Sequence, residues 1–367
     1  MLDIPPAMLK MDMLSPRSWQ KEKVVMVMGP TGTGKSRLSI ELATQFPAEI
    51  INSDKMQIYE GLDIVTNKVA EEEKSGVPHH LLGIANPNAD FTVTNFCHMA
   101  SFAVESISTR GLVPIIVGGS NSHNEALMDD EDFRLRSKYE CCFLWIDVSM
   151  PVLHDFVSRR VDQMVNMGMI DEVRNIFDPY ADYSIGIRRS IGVPEFDKYF
   201  RAEAFLDEEN RARLLHEAIC DVKNNTCNLV CRQWEKINRL RKIKGWNLHR
   251  LDATEVFRNQ GKEAEDAWEM LVARPSNAIV GQFLYGVSAD KFPVPAHVGA
   301  TIDAWEMLVA RPSNAIAGQL TIPYGVSTYK VPVPVPALVG TTIDPAMPLW
   351  DNSSMVFLPT RSLSLLM

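Results

Sequence analysis

The residues best suited to chemistry stand near the start of the chain, in the segment GPTGTGKS at 29–36. Its Gly-x4-Gly-Lys-Ser spacing is that of a phosphate-binding loop (P-loop), whose backbone N–H groups surround a phosphate while the lysine adds positive charge. An apolar run precedes it and a segment with helical apolar spacing follows it. We therefore predict a nucleotide or another phosphorylated ligand here rather than a plain glycine turn. The predicted binding residues are Gly29, Thr31, Gly32, Thr33, Gly34, Lys35 and Ser36.

Ser36 and Asp54 carry oxygen atoms suited to a metal ion beside such a ligand. In nucleoside triphosphate enzymes the hydroxyl after the P-loop lysine binds Mg²⁺, so Ser36 predicts Mg²⁺ as the cofactor. Asp54 ends the second apolar run, and open α/β sheets bind ligands outside the carboxyl ends of their strands. Asp54 is therefore predicted to face the P-loop ligand. The residues alone leave three roles open for it, as a Mg²⁺ ligand, a general base or a helix cap.

Three other groups have residue types found in binding sites. Gly118-Gly119 ends the third apolar run, where a glycine pair suits close approach to a ligand or a tight turn. Arg188 and Arg189 lie in a glycine-bounded loop, as an anion site or a solvated surface pair. His79-His80 does not predict a metal site, because adjacent side chains rarely converge on one ion.

Four short apolar runs indicate the elements that position these residues. The runs begin near Val24, Ile50, Leu112 and Cys141, and helical segments separate them. This alternation predicts a parallel sheet with helices on both faces. From Val152 to Leu251 the apolar spacing is helical, so this half is predicted to be all-helical. The fold class is α/β, with a P-loop NTPase-like parallel sheet flanked by helices, a mostly helical C-terminal half and a poorly ordered duplicated tail.

An internal repeat marks the last hundred residues. The segment DAWEMLVARPSNAI at 266–279 recurs at 303–316, and two copies are too few for a solenoid. The copies are also Pro-rich, so we predict a recent duplication that is poorly ordered beyond about residue 285. The predicted division is an N-terminal extension at 1–22, a P-loop α/β core at 23–150, a helical substrate-binding region at 151–265 and the duplicated, Pro-rich tail at 266–367.

Composition excludes several classes of protein. The 367 residues, 46% of them hydrophobic, suffice for a full core, and the net charge of −9 argues against a broad surface for nucleic acid. The six cysteines include no CxxC pair, so zinc is not predicted. No apolar run approaches the roughly 18 residues of a membrane span. The first 23 residues make a poor transit peptide, which leaves plastid and cytoplasm both open.

Six segments taken together resemble the plant adenylate isopentenyltransferases, the cytokinin-synthesising relatives of the tRNA dimethylallyltransferases. The resemblance runs in unbroken order from about Lys23 to Pro275, and the set is far more specific than a P-loop alone. The segments are GPTGTGKS (29–36), INSDKMQIYEGLDIVTNK (51–68), GVPHHLLG (76–83), PIIVGGSNS (114–122), RVDQMVNMGMIDEV (160–173) and GIRRSIGVPEFDKYFR (186–201).

The resemblance implies prenyl transfer from dimethylallyl diphosphate to the exocyclic amine of an adenine nucleotide (ATP, ADP or AMP), with release of diphosphate. The P-loop would then hold the diphosphate of the prenyl donor, and Ser36 would hold Mg²⁺. By their match to family motifs, Asp54 accepts the proton of the amine and Thr31 orients that amine. Arg189 corresponds to the family's diphosphate-contacting arginine, with Arg188 beside it and Lys68 as a weaker match. A monomer without a stable nucleic acid or membrane partner is expected.

Two features depart from the family pattern. His123-Asn124 stands where the relatives usually show an aromatic and an apolar residue, which predicts a change in the acceptor pocket. The repeat beyond 285 has no family counterpart, which fits a duplication or gene-model artefact.

Three other functions remain open from the sequence. A tRNA dimethylallyltransferase would do the same chemistry on a splayed-out base in the anticodon loop, and it would need a basic surface for the flanking backbone. A P-loop kinase of small metabolites would explain the loop but not the other five segments. A nucleotide-binding protein without activity would fit the altered positions 123–124.

Overall fold

A computed structural model describes residues 21–286, so most of the N-terminal extension and the tail from 287 onward lie outside the described residues. Six strands form one sheet, and every neighbouring pair is parallel. The order across the sheet is β3-β2-β4-β1-β5-β6. The strands are β1 (Lys23–Met28), β2 (Ala48–Asn52), β3 (His79–His80), β4 (Val113–Val117), β5 (Glu140–Asp147) and β6 (Leu248–Asp252).

Helices cover both faces of this sheet. The longest, α8, has 35 residues and packs on α5 and α3. In chain order the helices are α1 (Lys35–Gln45), α2 (Val93–Thr109), α3 (Asn121–Asp129), α4 (Leu135–Lys138), α5 (Met150–Asn166), α6 (Met169–Asn175), α7 (Asp197–Ala202), α8 (Glu208–Lys242), α9 (Thr254–Arg258), α10 (Gly261–Trp268) and α11 (Arg274–Tyr285), with a π-helical turn at Glu269–Ala273 between the last two.

The core lies on both faces of the central strands, as the continuous apolar runs predict. In β1 the residues from Val24 to Met28 are fully buried, and their side chains alternate between two apolar clusters. A strand covered on both sides needs apolar residues at every position, which is why these runs lack the alternation of a half-exposed strand. The α/β fold class is thus confirmed. Among the described helices, none is both long and apolar enough to span a membrane.

The prediction that the half from Val152 to Leu251 is all-helical is wrong at its end. Leu248–Asp252 forms β6, which pairs with β5 at the edge of the sheet. The buried residues Leu248 and Leu251 are three apart, a spacing that a helix also gives. Pairing with β5 decides the conformation, because β5 offers an open ladder of backbone groups beside an apolar surface.

The histidine pair lies on the other edge strand, β3, and its two side chains diverge. His79 Nδ1 is 2.8 Å from the carbonyl oxygen of Val77, whereas His80 Nε2 is 2.7 Å from Glu49 Oε2. Within residues 21–286 no group of three or more His, Cys, Asp or Glu side chains is placed to hold a metal ion. The pair stabilises the sheet edge.

The first copy of the repeat, at 266–279, forms helices that pack on the rest of the described chain, although residue 266 was predicted to begin the tail. Trp268 is 1% exposed, and its Nε1–H donates to Glu41 of α1 at 2.8 Å. Arg37 of α1 lies 4.5 Å from the centre of the Trp268 ring and donates two hydrogen bonds to Glu265. A Cβ on Gly34, which has φ of 88°, would approach the Trp268 ring to 2.7 Å. The C-terminal helices therefore brace the start of α1.

Replacing Trp268 with alanine tests this brace. The change removes a buried indole and its hydrogen bond to Glu41, so we expect a loss of about 3–5 kcal/mol in the free energy of unfolding. Chemical denaturation measures it, with Met270→Ala as the control because Met270 is 64% exposed in the same segment. Trp305→Ala makes the matching change in the second copy, and an equal loss there would mean that the copies are interchangeable.

Candidate active site

The P-loop joins β1 to α1 and bends back on itself. Lys35 Nζ and the Thr33 hydroxyl both donate to the carbonyl oxygen of Pro30, at 2.7 and 3.0 Å. Gly32 has φ of 85°, and a Cβ there would lie 2.7 Å from Val157 of α5. This position therefore excludes other residues for steric reasons as well as conformational ones. The loop and the start of α1 form one wall of a cavity of about 470 Å³.

The cavity combines charged and apolar walls. Asp54, Lys68 and Arg160 line it together with P-loop residues, so the structure brings two of the predicted site residues outside the loop, Asp54 and Lys68, to the same cavity. An apolar group faces the same space and consists of Ile64, Phe156, Met164, Met167 and Phe257. A ligand with both a phosphate and a short apolar chain matches these two kinds of wall.

Two cations share one carboxylate at the P-loop. Arg160 of α5 donates through Nη2 to Thr31 Oγ1 at 3.0 Å, and its Nε has no hydrogen-bond partner among the described residues. Desolvation lowers the pKa of Lys35 to about 8 and that of Arg160 to about 10, while the charge of Asp54 opposes both shifts. Each cation would be stabilised by an anion in the cavity.

Asp54 is fixed by the turn that follows β2. The Asn52 side chain accepts the Asp54 N–H at 3.1 Å and donates to the Leu81 carbonyl oxygen at 2.9 Å. One carboxylate oxygen of Asp54 accepts the N–H of Met56 at 2.9 Å. The residues after Asp54 form a turn and not a helix, so this contact is an Asx turn rather than the helix cap considered from the sequence. It orients a carboxylate that also lines the cavity.

A second group of positive charges acts on Lys55, the residue after Asp54. Desolvation lowers the pKa of Lys55, and the charges of Arg189, Lys236 and Arg232 lower it further. The same Arg189 and Lys236 charges contribute to lowering the pKa of His123 to about 4, where desolvation is the largest cause. Asp54 acts in the opposite direction on both groups. Asp54 therefore interacts with a P-loop pair of cations and with a separate basic group formed by Lys55, Arg189, Arg232 and Lys236.

The predicted arginine pair is split between different contacts. Arg188 donates to Asn88 and to the Ile176 carbonyl oxygen, the latter at 3.3 Å, and it does not line the cavity. Arg189 donates to the hydroxyl of Tyr59 at 3.1 Å and lies 3.9 Å from Asp90. Arg189 is also absent from the cavity lining, so the structure places it in the basic group rather than beside the P-loop.

Sequence reasoning missed Arg160, although a signal existed. Arg159 beside it is exposed and pairs with Asp155, so the two neighbouring arginines differ in their surroundings. In α5 the buried residues are Leu153, Val157, Val161 and Met164. Arg160 stands three residues after Val157 and four before Met164, so its position along the helix places it on the same inward face.

His123 and Asn124 place polar atoms in an apolar setting on α3. His123 stacks on Phe96 with ring centres 4.8 Å apart, and Asn124 is completely buried. Among the described residues, the two amide atoms of Asn124 have no hydrogen-bond partner, and the Nδ1 of His123 has none either. Each such group costs about 1–3 kcal/mol, so this departure from the family pattern weakens the wall beside the basic group.

Comparison with known proteins identifies the family of this fold. The family model described as IPP transferase matches residues 57–137 and 129–239. The fold resembles that of a eukaryotic dimethylallyltransferase acting on tRNA, with a TM-score of 0.60 and 23% identity over 78% of this chain and 84% of that one. It also resembles the tRNA isopentenylpyrophosphate transferase of Bacillus halodurans, with a TM-score of 0.54 and 25% identity over 68% and 99% of the two chains. The fold is therefore that of the IPP transferases.

The similarity in sequence is closer to one branch of these enzymes. Adenylate isopentenyltransferase 3, chloroplastic, of Arabidopsis thaliana is 56% identical over 78% of this chain and 87% of its own length. Adenylate isopentenyltransferase 5, chloroplastic, of the same plant is 61% identical over 72% and 81%, and the adenylate isopentenyltransferase of Humulus lupulus is 44% identical over 70% and 89%. The chain belongs to the adenylate isopentenyltransferase family of transferases.

The lowered pKa of Lys35 predicts a pH limit for diphosphate binding. Desolvation brings this pKa to about 8 in the free protein, so the charge that attracts an anion is present below pH 8 and lost above it. We expect the Kd for inorganic diphosphate to rise about tenfold between pH 8 and pH 9. Isothermal titration calorimetry measures it, and Lys35→Arg in the same buffers is the control because its guanidinium stays charged. An equal rise in both proteins would assign the change to the diphosphate.

Proposed function

We propose that the protein transfers the dimethylallyl group of dimethylallyl diphosphate to the exocyclic amine of an adenine nucleotide, in cytokinin biosynthesis. The observation that supports this most directly is that Asp54 lines the same cavity as Lys35 and Arg160 and is followed in the chain by Lys55 of the basic group. One group can hold the diphosphate of the donor and the other the phosphates of the nucleotide. The relatives in this family are named for the same acceptor and the same transferred group.

The donor would lie in the cavity with its diphosphate at the P-loop. Lys35, the loop N–H groups and the unpartnered Nε of Arg160 would bind the diphosphate, and the apolar wall would hold the five-carbon chain. As the bond between the first carbon and the diphosphate oxygen breaks, negative charge builds on the leaving group. The two cations stabilise that charge where water is largely excluded, which favours the transition state.

The acceptor amine is a weak nucleophile because its lone pair is delocalised into the adenine ring. The bond from this nitrogen to the first carbon forms as the bond to diphosphate breaks, and Asp54 receives the proton of the amine. Met56 N–H holds one oxygen of that carboxylate, so its orientation is set before the substrate binds. The hydroxyl of Thr31 accepts a hydrogen bond from Arg160, and this contact would hold Thr31 beside the reacting amine.

Mg²⁺ is part of the proposal, and the donor set fits it. Ser36 lines the cavity and offers a hydroxyl oxygen, and Mg²⁺ commonly takes one or two protein oxygens together with phosphate oxygens and water. When bound, the ion would neutralise charge on the diphosphate. Monomeric state and the choice between plastid and cytoplasm remain predictions.

One incubation tests the proposed reaction. The purified protein receives dimethylallyl diphosphate and Mg²⁺ with ATP, ADP, AMP or unmodified tRNA, and mass spectrometry detects addition of the five-carbon group. We expect the addition on a mononucleotide. Addition on tRNA alone would identify a tRNA-modifying enzyme, and no addition to any acceptor would contradict transferase activity.

Asp54→Asn should lower kcat about 10²- to 10⁴-fold, as expected for loss of a general base. Asp63→Asn is the control, because Asp63 lines the same cavity but pairs with Lys68.

A second substitution tests how the two charge groups divide the substrates. Lys236→Ala removes a charge from the basic group, so it should raise the KM for the nucleotide about tenfold and leave the KM for dimethylallyl diphosphate within twofold. Lys242→Ala, at the end of the same helix, is the control for a general loss of positive charge. A rise in the KM for the prenyl donor instead would reverse the assignment.

A further inference from the structure

The side chain of Gln233 connects two loops of the site. Gln233 lies on α8 and is 8% exposed. Its Oε1 accepts the backbone N–H of Thr31 in the P-loop at 2.8 Å, and its Nε2 donates to the carbonyl oxygen of Gly119 at 3.0 Å. The backbone carbonyl oxygen of Gln233 accepts a hydrogen bond from the Asn121 side chain at 3.1 Å. One buried residue thus joins the loop after β1 to the loop after β4.

An amide is the side chain that this position requires. Thr31 offers a donor and Gly119 an acceptor, and only a side chain with one acceptor and one donor on the same plane serves both. Gly119 lies directly on the amide, since a Cβ there would approach Gln233 Nε2 to 2.4 Å. Both partners are backbone groups, so the contact fixes the path of the two loops rather than a side-chain rotamer.

One of these loops carries Thr31, and the other lies against the turn after β2 that carries Asp54. Arg160 holds the Thr31 hydroxyl while Gln233 holds the Thr31 N–H, so this residue is fixed from two sides. On the other loop, Gly118 lies against the turn of Asp54, because a Cβ on Gly118 would lie 2.7 Å from the Asp54 nitrogen. Gln233 is therefore the hydrogen-bonded link between the Thr31 side and the Asp54 side of the reaction centre.

We propose that Gln233 is a positioning residue that sets the distance between Thr31 and Asp54 for prenyl transfer. This inference rests on the proposed function for its effect on the rate. Gln233 is not among the residues that line the cavity, and it acts through the two backbone groups that it binds. Reactions that depend on alignment are sensitive to small displacements of this kind, and a shift of about 1 Å can lower the rate a hundredfold.

Substitution of Gln233 separates alignment from folding. Gln233→Leu replaces the amide with an apolar side chain of similar size, and it thereby removes both hydrogen bonds. We expect kcat to fall about 10- to 100-fold, with the KM for dimethylallyl diphosphate within about threefold because Lys35 and Arg160 remain. The matched control is Thr226→Val on the same helix, since Thr226 is also 8% exposed but bonds only within α8, to Val222.

A second variant tests whether both loops are needed. Gln233→Glu keeps an acceptor for the Thr31 N–H but has no donor for the Gly119 carbonyl. Hydrogen exchange followed by mass spectrometry reports on the Thr31 amide in the absence of substrate. We expect fast exchange in Gln233→Leu, slow exchange in Gln233→Glu and in Thr226→Val, and reduced kcat in both Gln233 variants. Wild-type kcat in Gln233→Glu would refute the link to Gly119.

Two results would overturn the inference altogether. The first is a kcat for Gln233→Leu within twofold of wild type. The second is an equal fall of kcat in Thr226→Val at the same loss of melting temperature, which would show a structural role only. A wild-type protein that adds no five-carbon group would contradict the proposed function instead, and the exchange of the Thr31 amide would then still decide whether Gln233 holds the P-loop.

Discussion

The site depends on two positive charges held close to one carboxylate in a space from which water is partly excluded. Lys35 and Arg160 face one cavity and share the single carboxylate of Asp54, and desolvation lowers the pKa of both. Such an arrangement destabilises the free protein, because neither cation is fully compensated. It becomes favourable when a diphosphate enters and supplies the missing negative charge. The same imbalance that costs stability therefore favours binding of the leaving group.

The rest of the fold holds these charges in place. The parallel sheet brings the loops after β1, β2 and β4 to one edge, and β1 and β4 are neighbours in the strand order. Behind α1, Trp268 packs against Gly34 and bonds to Glu41, so α1 cannot move away from the P-loop without opening the core. On the other side, Gln233 ties the P-loop to the Gly119 loop. Rigid support on both sides allows a loop to keep two cations close together.

Local sequence predicted the parts of the site that are local in structure. The P-loop, the strand before it and the position of Asp54 at a strand end follow from spacing and from the geometry of parallel sheets. Arg160 and Gln233 could not be predicted in this way, because they reach the P-loop from helices 129 and 202 residues away. Arg189 is the reverse case, since its motif was recognised but its contact with Tyr59 depends on how that loop packs. Side-chain partners between distant elements are decided by tertiary packing.

The duplicated segment occurs once as part of the core and once again, unchanged in sequence, further along the chain. The stretches 266–279 and 303–316 are identical, so no property of these fourteen residues selects the one that braces α1. The flanking residues differ where the brace makes contact. Glu265, which binds Arg37, is matched by Ile302, and the buried Val280 is matched by Ala317. In the place of the first copy, the second would leave Arg37 without this carboxylate and would replace a buried isopropyl group by a methyl. Both differences favour the first copy in this place, so residues at the borders of the identical segments contribute to the choice between them.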